Sequence, residues 1–130
     1  MIYLDSCVLI YIIEGNKRRK EDVQQTMRAA GGPFCISPMV KCECLVGPSK
    51  VADLKLRRRY LTLFDQFVTL NLPEAVYLQA ATLRGRYGLR TPDALHLACA
   101  QYHDCDALWT NDARFARAAP GITYSLNLRD

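Results

Sequence analysis

The chain has 130 residues, of which half are hydrophobic, and carries a formal net charge of +4. This length suits one domain that buries roughly two-thirds of the surface of its unfolded chain, so we expect a single domain over residues 1–130. The even spread of apolar residues excludes extensive disorder, and the longest apolar run, Val8 to Ile13, is much shorter than the ~20 residues that span a bilayer.

Strand-like and helix-like segments alternate along the sequence. Ser6, Ser37-Pro38 and Thr91-Pro92 are typical helix starts, and Gly47-Pro48 is a typical helix end. Short strand–helix units of this kind predict a parallel sheet flanked by helices, that is, an α/β fold. The pattern predicts strands at residues 2–4, 34–36, 68–70, 107–110 and 122–124, and helices at residues 8–14, 21–30, 38–46, 52–67, 73–86, 93–103 and 112–118.

The N-terminus and the cysteines indicate the compartment. Met1 leads directly into the first strand-like segment, which leaves no room for a signal peptide, so we expect a cytoplasmic protein without membrane contact. No Cys-x-x-Cys pair occurs, and Cys42 and Cys44 form a C-x-C motif with no histidine at zinc-ligand spacing. The six cysteines are therefore interpreted as reduced structural thiols.

Four acids stand near the points where predicted strands end and helices begin. Asp5 directly follows the first strand, Asp93 follows a Thr-Pro helix start, and Asp112 comes two residues after the fourth strand. Glu43 lies about a turn and a half into the helix that follows the second strand. Ligands bind beyond the carboxyl ends of the strands in an open α/β sheet, so we expect these acids to converge there.

The four acids together favour a metal site. Taken singly, Asp93 or Asp112 is more typical of a cap favoured by the helix dipole. Asp5 has no evident local role after an apolar strand, and Glu43 has apolar neighbours. Clustered carboxylates raise one another's pKa, and a hard divalent cation such as Mg²⁺ or Mn²⁺ relieves that repulsion. Such an ion also binds phosphate oxygen and activates water for in-line attack on a phosphodiester.

Sequence motifs surround all four acids and extend over nearly the whole chain. They read I-Y-L-D-S-C-V-L-I at the N-terminus, I-S-P-M-V-K-C-E-C-L around Glu43, L-R-T-P-D-A-L-H-L-A-C-A around Asp93, and W-T-N-D-A-R-F around Asp112. In this order and spacing the sequence resembles PIN domains, and within them the VapC-type toxins of bacterial and archaeal toxin–antitoxin pairs. Cys7 and the cysteines beside Glu43 depart from the family's usual uncharged or aliphatic neighbours, without disturbing the carboxylates.

The resemblance implies a three-layer α/β/α fold with a central parallel sheet, and an endoribonuclease that depends on Mg²⁺ or Mn²⁺. It also implies a homodimeric toxin that is silenced by a cognate antitoxin protein. The family's catalytic, metal-binding acids fall on Asp5, Asp93, Glu43 and Asp112. Supporting polar positions fall on Ser6, Thr110 and Asn111.

Basic residues and histidines are further candidate functional groups. Three clusters of basic residues occur, and arginines in two of them are candidates for RNA binding. One set comprises Arg84, Arg86 and Arg90, which precede Asp93 in the sequence. The other comprises Arg57, Arg58 and Arg59, a run that is also typical of a solvated helix face. His96 and His103 lie about 10 Å apart on one helix, too far to share a metal. His96 is interpreted as a structural histidine, although it lies close enough to Asp93 in the sequence to approach the site.

Two other functions remain open. A PIN-type nuclease that processes RNA or cleaves structured DNA without an antitoxin would use the same residues. A catalytically silent module that binds nucleic acid or protein would keep the fold, but it would be expected to lack one or more acids, and all four are present. The sequence does not determine the RNA target, the antitoxin, the number of metals or the exact oligomer.

Overall fold

One or two helices separate successive strands along the described chain, as the sequence predicts. The computed structural model describes residues 1–118 and 123–125. Its strands are β1 (Ile2–Leu4), β2 (Phe34–Ile36), β3 (Val68–Thr69), β4 (Ala107–Thr110) and β5 (Thr123–Ser125). Its helices are α1 (Ser6–Glu14), α2 (Lys17–Ala30), α3 (Pro38–Lys50), α4 (Leu54–Phe64), α5 (Glu74–Tyr87), α6 (Thr91–Tyr102) and α7 (Ala113–Ala118).

The five strands form one parallel sheet in the order β3-β2-β1-β4-β5. The chain adds β2 and β3 on one side of β1 and then crosses to the other side for β4 and β5. The strand order therefore reverses between β1 and β4, and the crevice beyond the carboxyl ends of such strands is the usual ligand site of an open α/β sheet. The predicted α/β class with a central parallel sheet and flanking helices is confirmed.

The core lies around the central strands and α6. Tyr3, Leu4, Ile36 and Leu108 are fully buried strand residues, which explains why these strands read as continuous apolar runs. In α6, every residue from 93 to 100 is buried, so any polar side chain there needs a hydrogen-bond partner inside the protein. Within the described residues, no helix is both long and apolar enough to cross a membrane.

Several helix ends differ from the sequence prediction. The first helix is capped by Asp5 rather than Ser6, because the Asp5 side chain accepts a hydrogen bond from the Ser6 N–H. The third helix continues through Gly47-Pro48, because the Pro48 ring is buried and its packing offsets the lost helical hydrogen bond.

Side-chain caps and the described range explain the other differences. The second and fourth helices begin at Lys17 and Leu54, since Asn16 and Asp53 supply side-chain caps. Arg90 occupies the cap position of α6, and Thr91 is the first helical residue. The predicted last strand is present as β5, while Ile122 lies outside the described residues.

Candidate metal centre

Asp5 lies at the junction of β1 and α1, beside β4. Its Oδ1 accepts a hydrogen bond from the Ser6 N–H at 2.7 Å, and its Oδ2 accepts one from the Thr110 hydroxyl at 2.8 Å. Its own N–H donates to the Trp109 carbonyl, which ties the end of β1 to β4. Asp5 is only 7% exposed, so its carboxylate is fixed in position at the reversal of strand order.

Thr110 connects Asp5 to Asp112. The Thr110 hydroxyl oxygen accepts a hydrogen bond from the Asp112 N–H at 3.0 Å while it donates to Asp5. The Oδ1 of Asp112 caps α7 by accepting from the N–H groups of Arg114 and Phe115, at 2.9 and 3.2 Å. The capping interpretation of Asp112 therefore applies to one of its oxygens, and the other points to a different partner.

That partner is Arg90, which links Asp112 to Asp93. Arg90 Nε lies 3.4 Å from Asp93 Oδ2, and an Arg90 terminal nitrogen lies 3.5 Å from Asp112 Oδ2. Asp93 is buried in the first turn of α6. Burial raises the pKa of Asp93, the Arg90 charge lowers it, and the charges of Asp5 and Asp112 raise it further, so that the net shift is upward. The three aspartates therefore interact electrostatically.

Glu43 approaches this group from α3 through a histidine. Its Oε1 lies 2.6 Å from His96 Nε2, and the same nitrogen lies 3.6 Å from Asp5 Oδ1. One ligand atom from each of Asp5, Glu43 and His96 falls within 4.8 Å of the others, which is close enough for a single metal ion. The structure thus brings Glu43 close to Asp5. His96 is buried and hydrogen-bonded, as expected of a structural histidine, but it also contacts the carboxylates of the site.

His96 is held by a chain of buried hydrogen bonds. Its Nδ1 is 2.7 Å from the Tyr3 hydroxyl, which in turn is 2.7 Å from Ser37 Oγ. Burial lowers the pKa of His96, but its hydrogen bond with Glu43 and the charges of Asp5, Glu43 and Asp93 outweigh burial and raise it overall. The sequence signal for His96 was its position one helical turn after Asp93, on the same face of α6.

The three supporting polar positions have different roles in the structure. Ser6 donates its backbone N–H to Asp5, and its hydroxyl lies 3.4 Å from the same carboxylate oxygen. Thr110 is fully buried between Asp5 and Asp112. Asn111 donates from its side-chain amide to the Tyr11 hydroxyl at 2.8 Å, an interaction that positions the β4–α7 loop.

Sequence comparison places the chain in a known family. The PIN domain matches residues 2–120. The chain belongs to the PIN-domain family. The family assignment made from the motifs and the fold expected from them are confirmed. No curated protein sequence matches this PIN domain.

Solved structures of toxin–antitoxin proteins are similar to this PIN domain. A toxin–antitoxin complex from Klebsiella pneumoniae has 25% identity and a TM-score of 0.81, covering 97% of this chain and 98% of the other. VapBC2 from Rickettsia felis, bound to a promoter DNA fragment, has 20% identity and a TM-score of 0.77, with 96% and 98% covered. VapC20 from Mycobacterium tuberculosis, described as a sarcin-ricin loop cleaving toxin, has 14% identity and a TM-score of 0.75, with 92% and 95% covered.

The donor set of the PIN domain fits a hard divalent cation. Asp5 and Glu43 offer oxygens close enough to share an ion, and burial together with the charges of Asp5 and Asp112 raises the pKa of Asp93. Concentrated negative charge of this kind is relieved by a cation that prefers carboxylate oxygen and water. The Cys7 sulfur lies 3.6 Å from Asp5 Oδ2, but burial and the Asp5 charge raise the pKa of Cys7 to about 12, so it stays a neutral thiol. All six cysteines are free.

The predicted RNA-binding arginines lie in different places. Of the six, Arg90 is the one that pairs with the carboxylates. Arg59 donates to the Ile13 carbonyl near the far end of α1, about 12 Å along that helix from Asp5. Sequence reasoning missed Arg114, which lines a cavity of about 130 Å³ together with Arg90 and Asp93. The remaining predicted arginines, Arg57, Arg58, Arg84 and Arg86, are exposed on α4 and α5.

Proposed function

We propose that this PIN domain is an endoribonuclease that depends on Mg²⁺ or Mn²⁺ and serves as the toxin of a type II toxin–antitoxin pair. The observation that carries the proposal is the grouping of acids from four separate segments at the reversal of strand order, within a PIN-family chain. Asp5 and Glu43 lie close enough to share an ion, and the charges of Asp5 and Asp112 act on the pKa of Asp93. The nearest acid pairs are linked through Thr110, Arg90 and His96. The resulting cluster is the kind of site that supports phosphodiester hydrolysis.

The proposed roles combine the family resemblance, which favours Asp5 and Asp93 as the principal ligands, with the positions of the side chains. Asp5 and Asp93 hold the cation, and Glu43 and Asp112 complete the carboxylate set. When bound, a divalent cation supplies Lewis acidity, which neutralises charge on a phosphodiester and lowers the pKa of water. Arg90 and Arg114 face the cavity beside Asp93, where they can contact phosphate oxygens of the RNA.

Water, rather than the 2′-hydroxyl, is the proposed nucleophile. A mechanism with paired histidines needs two imidazoles at one phosphate. In this chain His96 is buried against Glu43, whereas His103 lies 2.9 Å from the Asn71 carbonyl at the other end of α6. The geometry therefore supports hydrolysis that leaves a 5′-phosphate and a 3′-hydroxyl.

The toxin role rests on the structural neighbours and on exposed apolar surface. The Klebsiella and Rickettsia structures are toxin–antitoxin proteins, and the Mycobacterium protein is described as a sarcin-ricin loop cleaving toxin. Exposed apolar side chains offer surface for a cognate antitoxin and for a second copy of the chain in a homodimer. They lie on and between α3 and α4 (Val46, Val51, Leu54, Leu61) and on α5 and α6 (Tyr77, Leu78, Tyr102). Cytoplasmic RNA is the proposed substrate.

The experiment is cleavage of total cellular RNA by the purified protein, with Mn²⁺ or with EDTA, followed by mapping of 5′ ends. We expect discrete 5′-phosphate ends that disappear with EDTA and in Asp5→Asn. Asp65→Asn, which changes an exposed acid at the end of α4, is the matched control and should cleave normally. Cleavage that persists in EDTA would exclude the carboxylate mechanism, and cleavage of structured DNA instead of RNA would favour the nuclease without an antitoxin.

A further inference from the structure

His96 lies between two groups of hydrogen-bonding partners, and the proposed nuclease mechanism gives this histidine no role. On one side are Glu43 and Asp5, and on the other are Tyr3 and Ser37. The histidine is 1% exposed and comes from a helix whose neighbouring residues are apolar and buried. A buried imidazole is costly unless both ring nitrogens have partners, and here both have them.

The chemistry of the two groups assigns a direction to the Nε2 contact. A carboxylate oxygen accepts hydrogen bonds, so we assign His96 Nε2–H as the donor across the 2.6 Å contact with Glu43. The other nitrogen, Nδ1, is paired with the Tyr3 hydroxyl, whose ring packs 5.6 Å from the imidazole, centroid to centroid. Both nitrogens are therefore engaged by the protein.

Glu43 is the acid that most needs such support. Asp5 is fixed by Ser6 and Thr110, whereas the Glu43 side chain is longer, 31% exposed, and has His96 as its hydrogen-bonded side-chain partner. A glutamate of this exposure otherwise samples several rotamers, and fixing it before the ligand binds removes that entropic cost. The His96 imidazole keeps Glu43 turned toward Asp5.

We propose that His96 is a positioning residue, held by Tyr3 and Ser37, that orients Glu43 for the divalent cation without binding the cation itself. This inference rests on the proposed metal-dependent function. It assigns a site role to two buried residues, Tyr3 in β1 and Ser37 at the start of α3, that hold the imidazole from the side away from Glu43. Hydrogen-bonded partners that orient a metal-binding carboxylate commonly change metal affinity by about 10- to 100-fold.

The test begins with Mn²⁺ affinity, measured by calorimetry on the whole protein. We expect His96→Ala to weaken Mn²⁺ binding by about 10- to 100-fold. His96→Gln should recover part of the loss, because the glutamine amide can still donate to Glu43. His103→Gln is the matched control on the same helix, and it should bind Mn²⁺ like the unaltered protein because His103 contacts Asn71 instead. Equal affinity in His96→Ala and the unaltered protein would overturn the proposal.

A double-mutant cycle separates positioning from general stability. If His96 acts through Glu43, His96→Ala should have little further effect on Mn²⁺ affinity in a Glu43→Gln background, because that side chain's role is already lost. Full additivity of the two substitutions would contradict the proposal. Circular dichroism and thermal unfolding identify any variant that fails to fold, and Tyr3→Phe then provides a milder change that removes only the hydroxyl contact.

Two spectroscopic readouts do not depend on cleavage. Nitrogen NMR of the imidazole in the metal-free protein should show hydrogen on Nε2, and Tyr3→Phe should shift the Nδ1 resonance. A neutral ring with hydrogen only on Nδ1 would overturn the assignment. Pulsed EPR of the Mn²⁺ complex should show no directly coordinated nitrogen, whereas strong nitrogen coupling would make His96 a ligand instead.

Failure of the unaltered protein to bind Mn²⁺ would refute the proposed function together with this inference, but normal binding with unaffected variants would refute the inference alone.

Discussion

The two halves of the carboxylate site balance their negative charge in different ways. In the histidine half (Asp5, Glu43 and His96), a 1% exposed imidazole makes a 2.6 Å contact and is fixed from behind by Tyr3. In the arginine half (Asp93, Asp112 and Arg90), the guanidinium of an arginine whose side chain is 63% exposed makes longer contacts of 3.4 and 3.5 Å. A buried group with hydrogen bonds at both of its nitrogens resists displacement, whereas an exposed ion pair is weak and exchanges readily with other partners. The histidine half is therefore the rigid part of the site, and the arginine half is the part that can rearrange when a cation or phosphate arrives.

The largest expected effect is on cleavage when an acid of the arginine half is neutralised. Asp93→Asn removes a proposed metal-binding carboxylate, so it should reduce RNA cleavage by more than about 100-fold. Loss of a residue that only hydrogen-bonds to a metal ligand commonly costs up to about 100-fold. Single-turnover cleavage at saturating Mn²⁺ measures this. Activity within a few-fold of the unaltered protein would remove Asp93 from the site.

The same substitution should have the opposite effect on stability. The pKa of Asp93 is raised in the folded state, mainly by burial, so the metal-free folded protein loses stability as pH rises through that pKa. Asp93→Asn removes this penalty, and its Tm in EDTA at pH 8 should exceed that of the unaltered protein, with the difference shrinking toward low pH. Added Mn²⁺ should raise the Tm of the unaltered protein and not that of the variant. A variant that is less stable than the unaltered protein throughout this range would contradict the electrostatic account.

A smaller effect is expected on the free energy of unfolding, where one substitution in each half compares the contributions of the two halves to stability. His96→Ala leaves a buried cavity and deprives Tyr3 and Glu43 of a partner, so it should lower the free energy of unfolding by about 2–4 kcal/mol. Arg90→Ala should lower it by less than about 0.5 kcal/mol, since the arginine is exposed. Urea unfolding in EDTA measures both. Comparable losses in the two variants would show that the halves are equally rigid.

The smallest effect concerns RNA binding. Arg90→Ala should weaken binding of a non-cleaved RNA and lower the salt dependence of binding by about one phosphate contact. Arg58→Ala changes an arginine that lines a groove near the end of α1, and it should alter the salt dependence less. Fluorescence anisotropy at several salt concentrations measures both. A larger change in Arg58→Ala would move the RNA path toward α4.

The sequence predicted the acids but not what fixes them. Asp5 and Asp112 were recognisable because each follows an apolar strand, and parallel strands deliver their carboxyl ends to one edge. His96 was harder to assign because its partner Tyr3 is 93 residues away and reads as an ordinary core residue of β1. Local patterns describe spacing along one element, and they carry no information on which distant hydroxyl meets a buried ring.

Helix boundaries show the same limit at shorter range. A Gly-Pro pair such as Gly47-Pro48 normally ends a helix. Helix α3 continues because Pro48 is buried on the same helix face as Val40 and Cys44, which lie eight and four residues before it. That packing is a property of the folded core. Arg90 likewise belonged to a predicted basic cluster, yet its pairing with Asp112, which is 22 residues away, became evident only from the fold.

The metal centre is tested by an anomalous difference map from crystals of the protein soaked in Mn²⁺ and recorded at the manganese absorption edge. We expect a peak within ligand distance of the carboxylates of Asp5 and Asp93, with Glu43 turned toward it and His96 outside its coordination sphere. A peak elsewhere in the chain, or none at this edge of the sheet, would contradict the assignment of these acids as the metal centre of a nuclease.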